Sequence, residues 1–100
     1  MHERPFSAAY EPGTSTLTVG GAVDELAAPT FRDDLAAALA AGPGPVVVDL
    51  TEVDYLPSVA VSVLVAALAA KGGGAPVLRA ARGTIAQRVL ELCGLPHRTE

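Results

Sequence analysis

The run Val46-Val47-Val48-Asp49-Leu50, entered from Gly42-Pro43-Gly44-Pro45, constrains this chain more than any other stretch. Proline and glycine at that density stop a preceding helix. An unbroken β-branched run with no polar alternation then reads as a strand covered on both faces, the usual centre of a parallel or mixed sheet. The remaining segments have to be arranged around it.

Upstream, residues 6–10 and 15–20 flank Glu11-Pro12-Gly13-Thr14, a turn signal, and Leu17 and Val19 alternate with Thr16 and Thr18, which predicts an opening hairpin with one polar face. After Gly20-Gly21, a helix is predicted from Ala27 or Ala28 to about Ala41. Pro29 is tolerated only in its first turn, and Phe31, Leu35 and Leu39 lie along one face with Ala38 beside them. Residues 51–57 read as a connection. Residues 58–70 are ambiguous locally, because Val59, Val61, Val63 and Val65 repeat with the period of a strand. No polar face opposes these valines, the stretch is long for a strand, and Val61, Leu64, Val65 and Leu68 form a helical stripe, so a helix with Ser58 as its N-cap is predicted. Lys71-Gly72-Gly73-Gly74 ends it, and Pro76-Val77-Leu78-Arg79 is a short strand. A last helix begins at Thr84, which has capping-box spacing to Gln87, buries Ile85, Val89 and Leu92, and closes at Gly94 with Leu95 as its hydrophobic contact. Residues 95–100 supply at most one short edge strand. The order β-β-α-β-α-β-α gives an α/β fold, a small mixed β-sheet with right-handed crossovers and helices mainly on one face.

Half the residues are hydrophobic and 18% are charged, enough apolar surface to offset the entropy of folding within a single domain spanning residues 1–100. The formal charge of −4 gives no footprint for nucleic acid or for an acidic lipid surface. The apolar stretch at residues 59–70 is too short for the ~20 residues that cross a bilayer, and the N-terminus has no signal core, so no membrane insertion and a cytoplasmic location are expected. The single cysteine, Cys93, cannot form an internal disulfide and reads as a semi-buried small hydrophobe at a helix end.

Catalytic patterns are missing. The glycine clusters follow helices, whereas a phosphate-cradling loop precedes one. Asp24, Asp49 and Asp54 lack metal-site spacing, and His2 and His97 lie near opposite termini. Ser58 has no activating base in its neighbourhood of sequence. Neither an enzyme nor a cofactor is expected. What remains is a hydroxyl between Pro57 and a helix N-terminus, where it serves as a cap or, if phosphorylated, adds roughly −2 charge to any surface that a partner covers.

Taken together, Val19-Gly20-Gly21-Ala22-Val23-Asp24, the helix after it, Val46-Val47-Val48-Asp49-Leu50, Val53-Asp54-Tyr55-Leu56-Pro57-Ser58-Val59-Ala60, and Val77-Leu78 through Val89-Leu90-Glu91-Leu92-Cys93-Gly94-Leu95 stand in the order and spacing of STAS domains. The chain resembles anti-sigma factor antagonists in particular. The resemblance implies a protein-interaction module in bacterial partner switching, which binds an anti-sigma factor that is also a serine kinase and so regulates transcription indirectly. The alternative is a non-switching accessory subunit of a transporter ATPase or signalling assembly. The family's phosphorylated serine falls on Ser58, its preceding acid on Pro57, its next Ser or Thr on Val59, its glycine on Ala60, and its acid before the first helix on Asp24. The resemblance therefore implies a switch and partner surface at Asp24, Asp54, Tyr55, Pro57, Ser58, Val59, Ala60 and Ser62. Family members continue through a final strand and helix, so this fold is expected to be shortened at its C-terminal edge or completed there by another chain. Homo-oligomerisation is left open.

Overall fold

The computed structural model describes residues 4–42, 44–69 and 75–99. Among these are four strands and three helices: β1 (Ser7–Glu11), β2 (Thr16–Ala22), α1 (Ala28–Ala40), β3 (Val47–Tyr55), α2 (Ser58–Ala69), β4 (Val77–Arg79) and α3 (Ile85–Leu92). The sheet order is β1-β2-β3-β4. β1 pairs antiparallel with β2, whereas β2, β3 and β4 run parallel, so α1 and α2 are the crossovers that parallel neighbours require. The glycine cluster at 72–74 and Lys71, expected to end α2, lie outside the described residues, as do His2 and Pro43.

One hydrophobic core joins the sheet to all three helices. Leu17, Val19, Val48, Leu50 and Leu78 meet Phe31, Leu35 and Ala38 of α1, Ala60, Val63 and Leu64 of α2, and Ala86 and Leu90 of α3. The helices thus cover one face. β3 is central, but its side chains at Val47, Asp49 and Thr51 stand only half-buried on the opposite side, which corrects the expectation of a strand covered on both faces. Val47 fits there because a β-branched residue packs against its cross-strand neighbours Thr16 and Val77 without needing a helix above it. The same open face carries the ion pair between Asp49 and Arg79, 2.9 Å apart across neighbouring strands.

β3 is longer than its sequence suggests. Residues 51–55, expected as part of a connection, continue the strand, and the pairing with β2 slips between Thr18 and Gly20 and again between Gly21 and Ala22. Each slip places an extra residue on β3 and re-aims the side chains that follow. Burial accordingly changes phase, from Val48 and Leu50 to Val53, which hides the alternation that would have marked a strand.

Two helices are rotated from their predicted faces. In α2, Ala60, Val63 and Leu64 are buried while Val65 is exposed. In α3, Ala86 and Leu90 face the core, whereas Ile85 and Leu92 point outward. Ala60 and Ala86 take core positions, and the bulkier residues beside them stand at the flanks. Cys93 is exposed rather than semi-buried. The termini of α3 follow their sequence signals. Thr84 Oγ1 accepts from the Gln87 N–H at 3.2 Å, and Gly94, at φ 69°, turns the chain so that the Leu95 N–H reaches the Leu90 carbonyl. Beyond it, Arg98 bridges to Arg79 on the outer edge of β4, a single bridge in place of a fifth strand.

Candidate functional site

Parallel pairing of β2 with β3 brings their carboxyl ends to the same end of the sheet, with Ala22 opposite Tyr55. In open α/β sheets, the loops leaving those ends are where binding crevices form. Here the turn into α1 and the turn into α2 enclose an open groove of about 550 Å3, lined by Asp24, Glu25, Leu26, Tyr55, Pro57, Ser58 and Val59. The Val23 N–H donates to the Tyr55 carbonyl at 3.0 Å and ties the two turns together.

Asp24 builds the first wall. Its Oδ1 accepts the Ala27 N–H at 2.9 Å, and its carbonyl accepts from Ala28 at 2.9 Å. These bonds satisfy donors at the start of α1 that Ala27, the N-cap residue, cannot satisfy with its own side chain. The turn projects Leu26 into solvent, where it is 90% exposed.

Pro57 and Ser58 build the second wall. The Pro57 carbonyl accepts from both Ala60 and Val61, so Pro57 stands at the N-cap and Ser58 is the first helical residue. The expected capping role of Ser58 is thereby corrected. A proline at that position loses nothing, since its missing N–H would have had no helical partner. Ser58 is exposed, and its hydroxyl makes no hydrogen bond with the described residues. Its carbonyl accepts the Ser62 hydroxyl at 3.0 Å, which keeps Ser62 on the outer side of the helix. Val59 is half-buried at the groove, but Ala60 is fully buried in the core. Ala60 therefore does not share the groove's surface with Ser58, because it is buried among the core residues.

Asp54 lies beside the groove rather than in it. Both carboxylate oxygens are engaged by Arg4, through Nε at 2.9 Å and Nη2 at 3.0 Å, and the Arg4 backbone N–H adds a third bond at 3.0 Å. Hydrogen bonding from the Arg4 side chain, then from its backbone, holds the Asp54 carboxyl below the ordinary carboxylate range. Arg4 also reaches the carboxylate and the carbonyl of Glu52, and its own carbonyl accepts from Ala22 at 2.9 Å. This strap rests on Gly21, whose φ is 76° and whose missing Cβ would lie 2.0 Å from the Pro5 carbonyl oxygen. Asp49 sits apart on the open face. There desolvation pushes its pKa up, but hydrogen bonds from Arg79 and Thr51 outweigh that and leave it lowered. Among the described residues, no group of three or more His, Cys, Asp or Glu is placed to hold a metal ion.

Sequence reasoning passed over Arg4, Glu25 and Leu26. Arg4 lies 50 residues from Asp54 and carries no local signal. Leu26 did carry one, an apolar residue standing off the Phe31, Leu35 and Leu39 stripe in an otherwise polar turn.

A family model described as "Mlab, STAS domain" matches residues 6–97. The anti-sigma-F factor antagonist RsfB from two strains of Mycobacterium tuberculosis is 30% identical over 83 residues, which cover 83% of this chain and 68% of the relative. A crystal structure of an anti-sigma factor antagonist from Mycobacterium paratuberculosis superposes with a TM-score of 0.76 at 25% identity, covering 96% of this chain and 86% of the other. A match along nearly the whole chain, on a sheet and helices arranged alike, leads to one conclusion: this chain belongs to the STAS-domain family.

Proposed function

We propose that this chain is an anti-sigma factor antagonist, a protein-binding module that regulates transcription indirectly by taking up an anti-sigma factor, or a serine-kinase-like protein of that kind, across the groove between Asp24 and Ser58. The observation that carries this reading is the Ser58 hydroxyl, exposed and without a hydrogen-bond partner among the described residues, on the wall of a groove shared with Asp24. The relatives named above are antagonists of anti-sigma factors, which supports it. In this reading the domain has no catalytic function of its own, needs no cofactor and works in the cytoplasm. Tyr55, Pro57, Val59 and Ser62 form the surface around the serine, and Asp54 holds its edge through Arg4. A phosphate on Ser58 would add roughly −2 charge to a groove that already holds two carboxylates, and a close interface would not survive it.

Titration with a purified anti-sigma factor from the same genome tests the reading. Ser58→Ala should bind like the parent chain, and Ser58→Glu should bind much more weakly while still folded. Equal affinities for the two variants would reject the interface.

A second reading, a non-switching accessory subunit of a transporter ATPase or signalling assembly, is favoured by Pro57 and Val59 standing where the family carries an acid and a Ser or Thr. It predicts co-purification with such an assembly and no phosphate on Ser58 after incubation with the kinase-like partner and ATP.

A further inference from the structure

Leu26 is a large apolar side chain left 90% exposed on a turn that is otherwise well fixed. Three hydrogen bonds hold that turn: the Ala27 N–H to Asp24 Oδ1 and to the Asp24 carbonyl, at 2.9 and 3.2 Å, and the Ala28 N–H to the same carbonyl at 2.9 Å. A fixed turn presents its side chain without the entropic cost of ordering a loop at the moment of binding. Single exposed apolar residues are common on protein surfaces, and exposure alone assigns nothing. Leu92, 79% exposed on α3, is such a residue and does not line the Ser58 groove.

Leu26 differs by its neighbours. It lines the Ser58 groove, where Tyr55 is 43% exposed and Pro57 and Val59 are also lining residues. The same lining carries two carboxylates, Asp24 and Glu25, and no basic side chain. Leucine is not the commonest anchor residue at interfaces. Its place in one lining with Tyr55, Pro57 and Val59 and beside two carboxylates is what singles out Leu26.

We infer that Leu26 is the apolar anchor of the partner face, inserting into a pocket on a protein partner that carries arginine or lysine at the rim of that pocket, opposite Asp24 and Glu25. The inference rests on the groove being the partner face, as proposed above, and adds two residues and a partner chemistry to it. Complementary charge would speed encounter and fix orientation, while the buried leucine would govern dissociation. An anionic lipid surface is disfavoured as the occupant because the two carboxylates would repel it.

The test is calorimetric titration of the full chain with the purified anti-sigma factor from the same genome, at low and at raised sodium chloride. The variants are Leu26→Gln, Glu25→Lys, Ser58→Glu and, as control, Leu92→Gln. Leu26→Gln should melt with the parent chain yet weaken binding about tenfold or more, as loss of a central anchor does. Leu92→Gln should stay within about twofold. Parent affinity should fall as salt rises, and Glu25→Lys should weaken binding at low salt and flatten the salt dependence. Parent-like affinity for Leu26→Gln beside a defective Ser58→Glu would overturn the anchor and leave the partner face standing. Parent-like affinity for both, or no complex at all, would overturn both. Affinity that does not change with salt would overturn the basic rim.

Discussion

Replacing Gly21 with alanine should destabilise this protein by more than its size suggests. The new methyl group would lie 2.0 Å from the Pro5 carbonyl oxygen and 2.7 Å from that of Arg4, and both are backbone atoms that cannot rotate away. Gly21 also has φ 76°, where an L-residue is strained by about 1–2 kcal/mol. Relief of the clash requires residues 4–5 to lift off, which breaks the Ala22 N–H bond to Arg4, a contribution of about 1 kcal/mol. The reduced freedom of the unfolded chain returns about 0.4–1 kcal/mol. The exposed Arg4 ion pairs add no figure, since water screens them. The net cost is about 2 kcal/mol, a fall in melting temperature on the order of 10 °C for a domain of this length. Thermal unfolding followed by circular dichroism measures it, and amide exchange at Ala22 should lose protection in parallel. Gly42→Ala is the control, because nothing lies within 4 Å of its Cβ position. If Gly21→Ala melts within about 2 °C of the parent, Arg4 and Pro5 do not rest on Gly21 and the strap is wrong.

Two further outcomes follow from hydroxyl and carboxyl chemistry. Ser58→Ala should change stability by no more than about 0.5 kcal/mol, because its hydroxyl bonds to none of the described residues, whereas Thr84→Ala should cost about 1 kcal/mol through loss of the Gln87 cap; chemical denaturation that ranks them in reverse would restore Ser58 as a cap. Asp49, with a folded pKa below its unfolded value, contributes stability that is complete above the unfolded pKa of about 4 and is lost as pH falls through the folded value. Unfolding titrations from pH 6 to pH 2 should therefore show a shallower acid decline for Asp49→Asn than for the parent chain, and identical slopes would refute the Arg79 pairing.

Local sequence carried the helix boundaries well where capping chemistry fixes them. Pro29 in a first turn, Thr84 ahead of Gln87 and Gly94 before Leu95 each satisfy or terminate a helix by bonds within a few residues, so their geometry is written in short motifs. The faces of α2 and α3 were less legible. Valine and isoleucine mark hydrophobic positions, but which of them are buried depends on how each helix is turned against the core, where Ala60 and Ala86 take the buried places. The end of β3 was read as loop because its slips in register break the alternation on which strands are recognised.

The candidate site divides in the same way. Ser58, Asp24 and the residues between them and the strands could be singled out from the chain alone, by their order and by the resemblance of that order to a family. Their meeting at one end of the sheet was implied too, but only by the resemblance and not by the residues themselves. It follows from parallel pairing of β2 with β3, which places two turns some thirty residues apart in the chain on one edge. Tertiary packing also took Ala60 inward, left the Ser58 hydroxyl without a hydrogen bond among the described residues, and brought Arg4 to Asp54. By itself the sequence determined the kinds and order of elements, because periodicity and capping are local properties of the backbone. Only the folded structure decided which side chains face solvent together, because that depends on contacts between segments distant along the chain.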